Sequence, residues 1–170
     1  MLNTYTQRAG FFSFLVILFE VFWGGHLQVF SFRPDLFLIL IIFWAFVINQ
    51  RTVPQVSLVM GLVRDLLSSS FFGVETLTYF AVGCLVSLLS LKIDRQNLWI
   101  RGGVSFLFSF AHFFLLAVAL SLTDLSRTIP LSFLGYAFFN SLYTALVALW
   151  LIPFLERLSF FRISRLGFNA

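Results

Sequence analysis

Long runs of apolar residues recur along the chain, separated by short breaks that carry its charges, prolines and glycines. A helix needs about 20 predominantly apolar residues to cross a hydrocarbon core. Two charge-free runs meet that length outright, 102–123 and 128–155, the second expected to be helical over about 131–152. Run 76–91 becomes a span if Glu75 sits at its interfacial end, and run 36–50 becomes one between Arg33-Pro34-Asp35 and Arg51. Two further segments contain charge: 9–29 includes Glu20, and 54–72 includes Arg64 and Asp65 near its middle. The pattern therefore predicts an all-α integral membrane protein, a bundle of six transmembrane helices at 9–29, 35–50, 54–72, 75–91, 102–123 and 131–152. A tail at 156–170 follows.

The third segment tests that count. Each strongly apolar residue favours insertion by about 0.3–0.6 kcal/mol, while a central Arg or Asp opposes it by about 2.5–3.5 kcal/mol. Alone the segment barely inserts, so Asp65 is expected to face other helices or a wet cavity, or Arg64 to reach an interface along its aliphatic stem. Charge sorting argues for keeping the segment. With six spans, Arg8, Arg51, Lys92, Arg95, Arg101, Arg157, Arg162 and Arg165 fall on one side, Arg33 and Arg127 on the other, and Arg64 stays in the membrane. The rule that basic loops remain inside makes the first side cytoplasmic, with both termini there. Omitting the third span would send Lys92, Arg95 and Arg101 outside. Trp23, Trp99 and Trp150 fall near proposed span ends, as interfacial aromatics do, whereas Trp44 fits that pattern least. The tail alternates Arg157, Arg162 and Arg165 with apolar residues and reads either as an interfacial amphipathic helix or as a basic stop.

Composition agrees. Of 170 residues, 60% are hydrophobic and 11% charged, and the mean hydropathy is +0.98, which excludes a water-soluble core. Six spans leave no room for a soluble domain. The net charge of +4 is dispersed between apolar runs, so no basic stripe follows a phosphate backbone and nucleic acid is not an expected partner. A single cysteine, Cys84, supports neither an internal disulfide nor a thiolate metal cage. Arg8 and the apolar run after it resemble a signal peptide, but no small-x-small site closes the run before Glu20 and Trp23, so a retained helix is expected.

Catalytic constellations are not evident. There is neither a His-Glu-x-x-His pair for zinc nor a Gly-x4-Gly-Lys-Ser/Thr loop for phosphate, so no enzymatic activity, metal or cofactor is expected. A dyad of Ser105 with His112 or His26 lacks the glycine that follows serine in intramembrane proteases. The acids within spans carry more information, because a carboxylate in the membrane is costly and marks a polar interior, a proton path or a partner-facing seam. Glu20, Asp65 and Glu75 form that set. Asp65 lies on one helical face with Gly61 and Ser69, and reads first as a hydrogen-bond acceptor inside the bundle, then as a partner or ligand contact, and last as a proton carrier. Arg64 lies about 100° away and cannot share that face. Glu20, with Gly24 one turn on, takes the same readings. Glu75 is expected to cap its helix after the bend at Ser68, Ser69, Ser70 and Gly73. Ala137-Ser141-Ala145 and Gly83-Ser87 form small-residue stripes, suited to internal packing or to another protein.

The order of residues then points to a family. Gly61-Leu62-Val63-Arg64-Asp65-Leu66-Leu67, followed by Gly73, Leu77 and Tyr79, resembles the Gly-Leu-x-x-Asp-Leu-Leu…Gly…Leu-x-Tyr signature of the MreD family of rod shape-determining membrane proteins. Arg33-Pro34-Asp35-Leu36, opening an aliphatic helix with Trp44-Ala45, resembles the family's Pro-Asp-Leu helix start. The motif-like detail covers about 34–89. The resemblance implies a noncatalytic scaffold in the bacterial inner membrane that binds MreC, a single-span coiled-coil protein. Through MreC it would help organise a SEDS-type glycosyltransferase and a class B transpeptidase under MreB filaments. It also implies a fold similar to the six-helix S components of energy-coupling-factor vitamin transporters. Pro34, Asp35, Gly61, Asp65, Gly73 and Tyr79 become candidate structural or MreC-contact residues. Arg64 is the departure inside the motif helix, and Glu20 remains a candidate buried acid. The alternative reading is a vitamin-binding S component, although its usual Ala-x3-Ala pattern is reduced here to Ala9-x3-Ser13.

Overall fold

The computed structural model describes residues 2–23, 32–48, 50–68, 71–90, 97–123 and 131–160. Among these residues the chain is all-helical, with six α-helices: α1 (Leu2–Trp23), α2 (Leu36–Phe43), α3 (Val53–Leu67), α4 (Val74–Leu89), α5 (Leu98–Thr123) and α6 (Leu131–Phe160). A π-turn, Trp44–Ile48, and a short 3-10 turn, Gln50–Thr52, link α2 to α3. Among the described residues, only α5 and α6 contain a stretch long and apolar enough to cross a membrane by themselves, 99–122 and 132–158.

α2 organises the bundle. Pro34 restricts the chain before it, and the Asp35 carboxylate accepts from the Leu38 amide at 3.0 Å, so the helix opens with a proline and a cap. Its sequence, Leu-Phe-Leu-Ile-Leu-Ile-Ile-Phe, is apolar all round, and such a helix has no face to offer water. Every residue from Leu36 to Phe46 is buried, with α1, α3, α4, α5 and α6 packed around them. This segment was expected as a span at 35–50; its α-helix is only eight residues long and stands inside the protein. Trp44, the tryptophan that fitted an interfacial position least, is buried, and its indole donates to Ser13 Oγ at 2.9 Å, tying α1 to the π-turn.

The remaining helices pair as hairpins, α3 with α4 and α5 with α6, and α4 joins the two pairs by packing on α5. Small residues make the close contacts. A Cβ on Gly61 would lie 2.6 Å from Thr76 Cα, and one on Gly102 would lie 2.8 Å from a Leu149 methyl, so each glycine lets the facing helix approach. Ala137, Ser141 and Ala145 are buried, and Gly83 faces the Ser57 side chain, which places these stripes against the protein interior. At the end opposite the α3–α4 turn, Arg101 and Glu156 pair at 2.7 Å between α5 and α6. α6 continues through Pro153 to Phe160, beyond its expected end at 152, so the first residues of the expected tail belong to the helix. Residues 161–170, like His26, Ser69 and Ser70, lie outside the described residues.

The perimeter is unlike that of a protein folded in water. Large apolar side chains cover the outside of every helix except α2, among them Phe22, Leu66, Leu77, Leu88, Leu122 and Trp150. Glu20, Asp35, Asp65, His112, Asn140 and Thr144 are buried.

A candidate polar site at one end of the bundle

α3 ends at Leu67, and its C-cap, Ser68, is extended. Arg64 and Asp65, expected near mid-span, therefore stand in the last turn. The chain turns through Phe72 and Gly73, whose φ of +98° is a left-handed conformation that glycine adopts without steric penalty, and α4 begins at Val74. Reversing so soon presses α4 onto the Gly61–Asp65 face. Asp65 Oδ1 accepts from the Glu75 amide at 3.0 Å, and Oδ2 accepts from the Thr76 amide at 2.9 Å and from the Thr76 hydroxyl. The free amides at the start of α4 are thus capped by an acid of the preceding helix. This corrects the expectation that Glu75 caps α4: Gly73, the N-cap, makes no side-chain cap bond, and Glu75 turns inward as the second residue of the helix.

Beside this turn the other acids and arginines converge. Glu20, near the end of α1 and only 2% exposed, pairs through Oε1 with Arg33 Nη2 at 2.7 Å and Arg64 Nη1 at 3.4 Å. Arg64 Cζ also lies over the Phe37 ring of α2, 5.7 Å from its centre, while its Nη1 reaches Glu20 of α1. The backbone amides around Pro34 bond to α6: Arg33 N donates to Asn140 Oδ1 at 2.7 Å, and Asp35 N to Thr144 Oγ1 at 3.1 Å. Asp35 Oδ2 accepts from the Tyr79 hydroxyl at 2.7 Å. His112, from α5, packs against the Tyr79 ring with centroids 4.2 Å apart. Its Nε2 stands 3.6 Å from Glu75 Oε2 and 3.9 Å from Asp35 Oδ2, too long for good direct hydrogen bonds.

Each of these contacts answers a desolvation cost, because a charge enclosed by helices is tolerated only with counter-charge and donors around it. The compensation is incomplete: Glu20 Oε2, Arg33 Nε, Glu75 Oε2, Ser109 Oγ and His112 Nδ1 are buried without a hydrogen-bond partner. Glu20, Arg33, Arg64 and Glu75, with Val21, Leu67 and Ser68, line a cavity of about 440 Å³ that opens to the surface. Its volume is in the range of small-molecule sites.

The candidate residues from the sequence thus separate into three groups. Asp35, Tyr79 and Pro34 lie at the interior junction of α2, α4, α5 and α6; Gly61, Asp65 and Gly73 build the α3–α4 turn; Glu20 and Arg64 line the cavity. Ser105 donates its hydroxyl proton to the Arg101 carbonyl at 2.8 Å, within its own helix. Glu75 was grouped in the sequence with Glu20 and Asp65 as an acid within the spans, whereas Arg33, His112, Asn140 and Thr144 were not grouped with these residues. One signal was available, because Asn140 and Thr144 are four apart on an otherwise apolar helix and so share a face. Among the described residues no group of three His, Cys, Asp or Glu side chains is placed to hold a metal ion. Residues 5–161 match the family model described as rod shape-determining protein MreD, and no solved structure matches the chain.

Proposed function

This chain belongs to the MreD family of rod shape-determining proteins, and on that premise we propose that it is a noncatalytic scaffold of the bacterial wall-elongation machinery. It sits in the inner membrane with six crossings, both termini cytoplasmic and its last residues forming a basic cytoplasmic tail. It binds MreC and through it helps organise the glycosyltransferase, the transpeptidase and MreB. The observation that carries the membrane part is the apolar perimeter of the bundle, with acids held inside. Exposed Phe22, Leu66, Leu77 and Leu122 and buried Glu20, Asp35 and Asp65 suit a hydrocarbon solvent and would be costly in water. α2 is too short to span alone, and its burial supports a crossing shielded by the surrounding helices. With the amino end inside, the polar cavity faces the periplasm, where a coiled-coil partner would present its soluble part.

In this reading the α3–α4 turn has a structural role that shapes the partner surface. Asp65 and Gly61 fix the turn, while Leu66, Leu67, Phe71 and Phe72 around it are exposed and available to a partner helix. The test is co-purification with MreC from detergent-solubilised membranes. Wild type is expected to retain MreC, and Gly61→Leu and Asp65→Leu to reduce the yield of the complex. A wild-type protein that is stable yet never retains MreC would overturn the scaffold reading; full yield in both variants would remove these residues from it. The polar cavity is the one feature that favours vitamin capture, and sub-micromolar binding of a vitamin by the purified protein would favour that alternative.

A further inference from the structure

The cavity lies on a longer seam. On α1, Gly10, Ser13, Phe14 and Ile17 line an apolar groove, and Glu20 and Val21 continue the same helical face into the polar cavity. On α3, Val56, Val59 and Met60 line the groove, and Arg64 and Leu67 continue that face. Gln55 and Trp44 complete the groove, of about 280 Å³. Gly10 to Val21, twelve residues of helix, make the seam roughly 17 Å long. Phe14 and Val59 are each 55% exposed, so it is open from the side, where the surrounding medium of a membrane helix is acyl chain.

At the polar end, buried groups of both charges lack hydrogen-bond partners. Glu20 Oε2 and Glu75 Oε2 lack donors, and Arg33 Nε lacks an acceptor. A purely anionic head satisfies the arginines and meets two carboxylates; a purely cationic head does the reverse. A head carrying both an ammonium and a phosphate answers both sets with charge-assisted hydrogen bonds, and its acyl chain continues into the apolar groove. From this complementarity we infer that the α1–α3 seam binds one phospholipid with a primary-amine head, its ammonium between Glu20 and Glu75, its phosphate at Arg33 and Arg64, and an acyl chain along Phe14, Ile17 and Val59. The inference rests on the bundle residing in a bilayer but needs no MreC.

The purified full-length protein, stripped of lipid in detergent, is titrated with short-chain phosphatidylethanolamine, phosphatidylglycerol and phosphatidylcholine, and with glycerophosphoethanolamine as the head alone. Native mass spectrometry reads the bound fraction. Phosphatidylethanolamine is expected to bind at least about tenfold tighter than the other two lipids, which lack the primary ammonium, and tighter than the head alone. Glu75→Gln, close to the native shape, should reduce that preference about tenfold, and Val59→Trp, on the exposed face of the groove, should weaken all three lipids. Equal affinity for the three lipids overturns the inference, as does an unchanged preference in Glu75→Gln. Binding of the head alone as tightly as the lipid removes the groove from it. Because MreC is absent throughout, a negative result leaves the scaffold reading to its own test.

Discussion

Asp65 carries three hydrogen bonds to the first turn of α4, and removing it would leave two amides and a hydroxyl without their acceptor. Asp65→Ala should destabilise the protein by about 2–3 kcal/mol, read as a lowered unfolding midpoint in detergent, and Asp65→Asn, which keeps one acceptor oxygen, by less. Gly61 constrains the same turn sterically. Its α-hydrogen faces the Thr76 backbone, which cannot rotate aside as a side chain could, so Gly61→Ala should cost about 1–3 kcal/mol by pushing α3 from α4. At Asp35, the Tyr79 hydroxyl is the side-chain donor from α4. Tyr79→Phe leaves that oxygen short of a donor and should cost about 1–3 kcal/mol, with the His112 ring contact retained. The motif residues were visible in the sequence as a chain-order pattern; that Asp65 caps the next helix was not. The acceptor and its amides are ten and eleven residues apart, and only a reversal of tight radius brings them together.

Among the elements, α1 is attached by few contacts, and polar ties hold its middle and its carboxyl end: Trp44 to Ser13 and Arg33 with Arg64 to Glu20. Breaking both, in Trp44→Phe with Glu20→Gln, should raise amide hydrogen exchange in α1 before any other helix, since the element with fewest buried contacts opens at the lowest free energy. The hairpin of α5 and α6 has a different anchor. The Arg101–Glu156 pair is only partly exposed, and a double-mutant cycle with Arg101→Gln and Glu156→Gln should give a coupling of about 1 kcal/mol. Helix α2 shows where apolar periodicity is uninformative. An all-apolar run satisfies lipid and a protein interior equally well, so the pattern alone could not show that helices would enclose it on every side.

For the whole molecule, the six crossings proposed above would return the end of α6 to the side where α1 begins, with Glu20, Asp65 and Glu75 toward the opposite side. In a Cys84→Ala background, thiol labels at positions 4 and 169 should react only from the cytoplasm and one at position 72 only from the periplasm. Termini found on opposite faces would contradict the even number of crossings. Burial of acids together with exposure of Phe and Leu further implies that stability depends on an apolar medium. The unfolding midpoint should be higher in lipid nanodiscs than in short-chain detergent, where a thinner, looser hydrocarbon layer covers the perimeter less completely.

The sequence by itself determined the helical class, the number of helices, the two longest apolar ones and the family, because each depends on residues near one another along the chain. Only the tertiary structure decided that α2 is enclosed, that Asp65 caps α4 in place of Glu75, and that Arg33 and Arg64 meet on Glu20. Hydropathy is additive along a segment and can be read locally. A buried charge takes its partner from whatever helix folds beside it, and that neighbour is chosen by packing across the bundle.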